Sequence, residues 1–572
     1  ITPREVTEVA LKVKALIDAV VPIELKESRI TRPGGSVITP EVLDVVRQAA
    51  PGRLKPCLIY SLLVCNRWYY KLKRKDLFDA DLNELKMVAC EMVAKRIIEA
   101  EEDEAYLFQE MLCRRFATLS SGEATPVRNV LEIAVDVHAL NVIGSSGYQR
   151  CITYIWQGWI IQSPLDPTEY ISYNKTANTS FWAHFDSDRM KAPKYQNWFQ
   201  LAVSIVYLGL YTGAVNTANP NATFDPVEEL FYVFTLGFLF DEIGKFYKVG
   251  RHYFSFWSVF NDSLYFLIVI SFILHLIAAG KPRGTEVKEY YDVLSYQFLA
   301  FCAPMVWSRL LLFLDMQEFI GAMIVVLKEL MKESLIFFVL LLIIAVGFLQ
   351  GFIGLDSADG YREVSGMSIA YMVRSVLQSP EFDPFVDFAP PFASILYYLF
   401  TFVVSVVLLN ILIALFNSAY ENIYENATDE FMALYAQKTL RFVRAPDENL
   451  FIPPLNLIEI FGLILPFEWW MSRATYAHLN DVVMKIIYSP VLVGLAFYEV
   501  YMARRVLQNR SRGESDDDHT DEWDDVESEI NLEGCGWVEK VMEVAPHASQ
   551  DPALHETRHL QQQVQDLAAL VK

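Results

Sequence analysis

The sequence predicts an all-α protein that crosses a membrane six times, with an irregular loop between the fifth and sixth crossings. Three observations carry this fold class. Apolar residues make up 53% of the 572 positions and mean hydropathy is +0.23, too oily for an ordinary soluble protein. Six apolar runs follow one another between Trp198 and Phe416. A helix needs about 20 apolar residues to cross roughly 30 Å of hydrocarbon, and several of the runs reach that length. Between the last two lies Glu381-Phe382-Asp383-Pro384-Phe385-Val386-Asp387, an acidic stretch closed by Pro390-Pro391.

Residues 1–197 have the polarity of a soluble helical domain with a linker. Apolar side chains three and four apart run from Glu5 to Val20, Thr39-Pro40 opens a helix with a capping hydroxyl and an N1 proline, and Asp81 to Phe116 reads as one long charged helix. No repeat recurs at about 33 residues and no TPLHxA string occurs, so ankyrin repeats are not expected. Ser163 to Asn197, aromatic and punctuated by proline, suits a linker to the membrane. Ile1 to Arg4 contain neither a Met nor a signal peptide, as expected of a chain trimmed at its start.

Residues 198–314 are expected to form a four-helix transmembrane domain from the runs Trp198–Gly213, Leu230–Ile243, Ser263–Gly280 and Val293–Leu314. The loop from Ala214 to Glu229 has no Lys or Arg, whereas Gly244 to His252 holds Lys245, Lys248 and Arg251. The positive-inside rule places the second loop, and with it both ends of the chain, in the cytosol. A voltage sensor needs arginines at every third residue of its fourth span, and only Arg309 is present there. Voltage sensitivity is expected to be modest. Residues 315–333 read as an amphipathic linker in the interface, with Ile320, Met323, Ile324, Leu327 and Leu330 on one face.

Residues 334–420 form the expected pore domain. Two spans, Ile336–Leu355 and Phe392–Phe416, flank a short amphipathic helix, Gly366–Leu377, that breaks at Ser379-Pro380. Irregular backbone at membrane depth is tolerated only where protein or water satisfies its polar groups. The arrangement describes the pore module of a cation channel, in which rings of Glu381, Asp383 or Asp387 stand at the filter or pore mouth. The second span ends in Leu408-Leu409-Asn410-Ile411-Leu412-Ile413-Ala414-Leu415-Phe416-Asn417-Ser418-Ala419-Tyr420. This resembles the inner-helix signature LLNxLIAxxNxSY of transient receptor potential (TRP) channels. The resemblance implies a gate at Asn410, Ile413 and Asn417, closed by dewetting of an apolar ring.

Two groups of acids suggest Ca²⁺ ligands, since hard oxygen donors suit that ion. Asp241 and Glu242 end the second run, and Asn261 and Asp262 precede the third. Some TRP branches hold Ca²⁺ there, but Lys245 occupies the second acidic position of their pattern, and a reading as salt bridges stands beside the metal reading. The second group is the tail of residues 513–550, with Asp516, Asp517, Asp518, Asp521, Asp524 and Asp525. It lacks the DxDxDG loop of an EF-hand, so its readings are a low-affinity Ca²⁺ segment or a solvated spacer. Residues 421–512 precede this tail and hold Leu455–Trp470 and Val482–Tyr501, expected as interfacial or partly embedded helices flanked by Trp469, Trp470, Arg473, Arg504 and Arg505. Residues 551–572 carry Leu560, Val564, Leu567 and Val571 at four-three-four spacing, a short coiled coil.

A net charge of −22 argues against nucleic acid as a partner. Seven cysteines without a CxxC pair indicate neither a zinc site nor a disulfide framework. No GxSxG, HExxH or P-loop string is present, so no enzyme is expected. The helical N-terminal domain, the inner-helix signature and the acidic tail together resemble the fungal vacuolar branch of TRP channels. That resemblance implies a homotetrameric nonselective channel for Ca²⁺, K⁺ and Na⁺ in the vacuolar membrane. It further implies opening by cytosolic Ca²⁺ and by osmotic or membrane stretch, and modulation by phosphoinositides. The alternative is a secondary cation transporter, which needs corresponding broken helices in two halves, and Pro384 to Pro391 stands in only one place.

Overall fold

The computed structural model describes residues 1–512 apart from 33–36, 121, 164–168, 217–224, 250–255, 283, 315–316, 359–364, 387–388, 426 and 445–450. After 512 it describes 515–518, 536–537 and 540. The chain folds as two compact units, Ile1–Phe313 with Tyr435–Lys572, and Leu314–Leu434.

The first unit begins with α1 (Pro3–Val20), started by a capping box in which the Thr2 hydroxyl accepts from the Glu5 amide and the Glu5 carboxylate accepts from Thr2 N at 2.8 Å. Its apolar stripe, Val6, Val9, Val13 and Ile17, is buried. Thr39 caps α2 (Pro40–Ala49), as its sequence requires. The central pair is α3 (Leu58–Lys75) and α4 (Ala80–Glu99). The single helix expected from Asp81 to Phe116 ends at Glu99. Four successive acids, Glu101 to Glu104, interrupt its apolar period, and Asp103 caps a fresh turn by accepting from Tyr106 N. Beyond it come a π-turn at Leu107–Leu112, a small hairpin, Leu119–Ser120 with Glu123–Ala124, then α5 (Val130–Asp136) and α6 (Ser146–Gln157). Gly158 closes α6 at φ +74°, a left-handed cap that glycine adopts without a Cβ penalty. The expected linker contains a second antiparallel pair, Ile160–Gln162 with Tyr170–Ser172, and the single turn α7 (Phe181–His184).

The four-helix region comprises α8 (Pro193–Asn216), α9 (Pro226–Val249) and α10 (Phe256–Ala279), followed by a fourth element in pieces. Val293–Leu314 does not form one helix. It divides among α11 (Glu286–Phe301), α12 (Ala303–Ser308) and α13 (Leu311–Leu314). Pro304 lies in the first turn of α12, where its missing N–H costs nothing, and a helix running through it would lose a bond. The core of the region is aromatic: Tyr207, Tyr211, Phe231, Phe238 and Tyr265 pack together out of solvent.

The second unit is built from α14 (Glu318–Ser357), α15 (Ser365–Val376), α16 (Phe392–Phe402) and α17 (Leu409–Glu425), with a π-turn at Val403–Leu408 joining the last two. From Glu318 onward the expected linker and the span after it are one 40-residue helix, because no proline or glycine pair interrupts the apolar period from Ile320. After α17 come α18 (Ala427–Arg444) and, beyond a π-turn at Glu459–Glu468, the 40-residue α19 (Arg473–Arg512). Among the described residues, five helices are long and apolar enough to cross a membrane: Pro193–Asn216, Trp257–Ala279, Ile320–Ser357, Phe392–Ser418 and His478–Arg512. The last includes the stretch for which an interfacial or partly embedded position is expected.

Candidate ion pathway and charge clusters

The loop after α15 is held by its aromatic side chains. Ser379 N donates to Arg374 O at 2.9 Å and Gln378 turns at φ +62°, which ends the helix and reverses the chain. Phe385 is then fully buried and stacks on Tyr397 with ring centroids 4.2 Å apart, while Phe382 stacks on Tyr398 at 4.6 Å. Tyr397 OH donates to Tyr371 O at 3.1 Å, Ser394 Oγ to Phe385 O at 2.6 Å, and Ser375 Oγ to Thr401 Oγ1 at 3.0 Å. Ser394 of α16 thereby gives the irregular backbone a partner that it cannot find in a ladder, and the other two bonds tie α16 to α15.

Anchoring the phenylalanines leaves the acids between them outside. Glu381 is half exposed and pairs with Arg374 at 2.7 Å. Asp383 is exposed at the start of a 3₁₀ turn, Asp383–Phe385. Asp387 lies outside the described residues. The acids stand out in the sequence, whereas Phe382 and Phe385, which carry the loop, have no comparable mark there.

On the inner helix, Asn410 Nδ2 donates to Val406 O at 2.6 Å, one turn back in the π-turn. Asn410, Ile413 and Asn417 are all exposed, with Ile413 at 50%. Their helix face is not covered by the unit's own core, which buries Val404 and Leu408 instead. π-turns within α-helices are frequent at functional sites because they shift the register of everything beyond them.

In the four-helix region, Lys245 Nζ lies 2.6 Å from Asp241 and 3.3 Å from Glu242, the ion pairing that the salt-bridge reading anticipates. Asn261 and Asp262 sit in the first turns of α10. Among the described residues, no group of three or more His, Cys, Asp or Glu side chains is placed to hold a metal ion. Arg309 is buried over an aromatic floor, 3.9 Å from the Phe238 ring centre and 5.5 Å from those of Tyr207 and Tyr265.

The root of the acidic tail docks onto arginines. Arg510 donates twice to Asp516 at 2.7 Å, and Asp517 accepts from Arg150 and from Tyr154 OH, each at 3.1 Å. Burial pushes the Asp517 carboxyl up, but its bonds from Ser515 and Arg150 outweigh this and hold it below the usual range. Asp518 accepts from Ser515 Oγ at 3.2 Å. Asp521, Asp524 and Asp525 lie outside the described residues, as do Leu560, Val564, Leu567 and Val571.

One cluster gave no sequence signal. Glu499, buried on α19, accepts from Arg189 Nε at 2.6 Å and from Tyr195 OH at 2.8 Å, and His184 Nδ1 lies 2.7 Å away. Arg189 also donates to Gly158 O at 2.8 Å and covers the Tyr173 ring at 4.0 Å. The linker, the start of α8 and α19 are thereby pinned at one point.

Long apolar helix, short helix, acidic loop and long apolar helix with the LLNxLIAxxNxSY-like end define a TRP-type cation channel. Two family models match, "Calcium channel YVC1-like, C-terminal" over residues 203–500 and "TRPY1 N-terminal linker helical domain" over residues 6–185. The chain is 44% identical over 536 residues to "Calcium channel YVC1" of Candida albicans, and 42% identical over 538 residues to that of Saccharomyces cerevisiae. Each alignment covers 91% of this chain and 79% of the relative. A solved structure, "PI3P and calcium bound full-length TRPY1 in detergent", superposes with TM-score 0.77 at 38% identity over 96% of this chain and 99% of that one. The chain belongs to the YVC1-like calcium channels, a family of membrane channels and not of enzymes.

Proposed function

We propose that four copies of the chain surround one axis and form a nonselective pore for Ca²⁺, K⁺ and Na⁺ in the fungal vacuolar membrane. The observation that carries this is the Leu314–Leu434 unit, in which buried aromatic residues hold a loop that presents Glu381 and Asp383, while Asn410, Ile413 and Asn417 stand on an uncovered helix face. Fourfold repetition turns the acids into rings that concentrate cations, and turns Ile413 into an apolar constriction. The 40-residue helix α14 joins the interfacial linker to the pore, so membrane stretch has a rigid path to the gate.

Regulation by cytosolic Ca²⁺ acts through the acidic tail. Asp516 and Asp517 are held by Arg510 and Arg150, and Ca²⁺ competes with those arginines for the carboxylates. A lipid carrying a phosphoinositide headgroup, of the kind bound in the TRPY1 structure, modulates the same equilibrium. Arg309, fixed among aromatic rings, supports little voltage dependence.

The test is single-channel recording of purified protein in planar bilayers, with Ca²⁺ varied on the side that bears the tail. Unitary currents whose open probability rises with Ca²⁺ are expected, and the terminal coiled-coil segment and the pore reading both require a mass in detergent of four chains. Transport without unitary currents, or a functional monomer or dimer, refutes the reading.

A further inference from the structure

The helix α19 has two apolar faces, and its own chain covers one. Met484, Tyr488 and Leu492 pack with Met190, Phe451 and Leu463 in a buried cluster. On the other side, Val482, Ile486, Val493, Phe497 and Tyr501 are 40, 67, 40, 65 and 68% exposed. At about 100° per residue these five fall within one sector of the helix, and at about 1.5 Å per residue the stripe is roughly 28 Å long. The sequence between Val482 and Tyr501 holds two charges: Lys485 pairs with Asp481 at 2.7 Å, and Glu499 is buried. The exposed stripe thus contains no charge over its whole length.

The patch continues onto α7. Phe181 lies 5.1 Å from Phe497 and 5.4 Å from Trp182, and Trp182 is 78% exposed. An uncharged apolar face of this size on a soluble surface demands a cover.

We infer that this stripe and the aromatic pair on α7 lie in lipid, seating α19 in the bilayer leaflet that the N-terminal domain faces. Three features select lipid over a second copy of the chain. The stripe ends at Tyr501 and is followed at once by Arg504 and Arg505, and Trp182 flanks it, the residue types that settle where hydrocarbon meets headgroups. Beside it lies the start of α8, a 24-residue helix apolar enough to cross a membrane, whose Lys194 Nζ donates to Tyr498 OH at 2.7 Å. Charged residues stay off the stripe itself: Lys485 pairs with Asp481 beside its first turn and Glu499 is buried, which leaves the exposed face apolar as on an interfacial helix. The cluster of Glu499, Arg189 and His184 then fastens the N-terminal domain to an element held by the membrane. This rests on the chain being a membrane protein and is independent of the gating reading.

The test uses full-length channel in phosphatidylcholine vesicles, with Cys535 replaced by Ser because the cysteines at 57, 65, 90, 113, 151 and 302 are buried. Nitroxide spin labels are placed by Trp182→Cys, Val493→Cys and Phe497→Cys. A further label at Phe78→Cys, 91% exposed on the N-terminal domain, is the aqueous reference. Collision with oxygen should exceed collision with a water-soluble nickel chelate at 182, 493 and 497, and the ratio should invert at 78. Nickel access at 493 and 497 equal to that at 78 overturns the inference, and so does immobilisation with neither reagent admitted, which means a protein cover. On the unsubstituted chain, a lipid-soluble carbene reagent should label the peptide holding Val493 to Tyr501 as heavily as α8. Labelling of α8 alone also overturns it, whatever the behaviour of the variants.

Discussion

In α1 the apolar residues Val6, Val9, Val13 and Ile17 are no more than 1% exposed, whereas the most apolar stretch of α14 is only 11% buried and that of α16 with α17 only 17%. The N-terminal domain closes its core within one chain and satisfies Asp18 with Lys14, Lys86 and Tyr69 at 2.7, 2.8 and 3.0 Å. The pore unit has one tight aromatic knot and otherwise offers its side chains outward. Water drives burial in the first case. In the second, lipid removes that drive from the outer faces, and in the proposed tetramer neighbouring copies would cover the inner ones.

The knot is where the pore unit most resembles a soluble core, so damage there should be largest. Tyr397→Ala removes the stack on Phe385 and the bond to Tyr371 O, and should cost about 3–5 kcal/mol. Thermal unfolding of the purified channel with loss of unitary current reports it. Tyr397→Phe keeps the stack, so its cost should be about 1 kcal/mol. Equal losses in the two variants would place the stability in the hydrogen bond.

The next effect separates two acids of one loop. Arg374 offsets the charge of Glu381, so Asp383→Asn should lower divalent conductance severalfold and Glu381→Gln should lower it less. Arg374→Gln should widen the role of Glu381. Reversal potentials and unitary conductance in mixed Ca²⁺ and K⁺ decide the order.

Within the N-terminal domain, Asp18→Asn should cost about 1 kcal/mol or less, because the site is partly exposed and solvent screens its ion pairs. Burial pushes the Asp18 carboxyl up, and bonds from Lys14, Lys86 and Tyr69 bring it below its ordinary value. A depressed carboxylate contributes stability above its unfolded pKa and loses it as pH falls through the folded one. Melting temperature should therefore fall on acidification below about pH 4 by less in the variant than in the parent.

The smallest effect concerns the tail root. Asp517 is likewise depressed, burial being outweighed by Ser515 and Arg150, so its contact with α6 should persist at neutral pH and loosen only in acid. Hydrogen exchange at 515–518 should rise modestly in Arg150→Gln at pH 7. The same variant should open at lower Ca²⁺ if the arginine competes with the ion, and an unchanged Ca²⁺ response removes Asp517 from the sensor.

Much of this was legible in the chain itself. The apolar spacing from Glu5 to Val20 and the Thr39-Pro40 cap marked helices that formed, the six apolar runs marked a membrane protein, and Leu408 to Tyr420 marked the TRP class. These are short-range signals, in which side-chain chemistry and spacing act within a few residues. Other features depended on distant partners. The pair Arg150 with Asp517 joins residues 367 apart in sequence, and Glu499 meets His184 across 315. Neither acid carries a local mark that distinguishes it from a solvated one. Phe382 and Phe385 became anchors only because α16 set Tyr397 and Tyr398 opposite them, and the second apolar face of α19 became visible only once the first was buried. The sequence by itself determined which segments are helical, oily or acidic, because those properties are local sums; tertiary structure alone decided which charges are paired and which apolar faces remain open, because pairing and burial depend on what the fold brings from elsewhere.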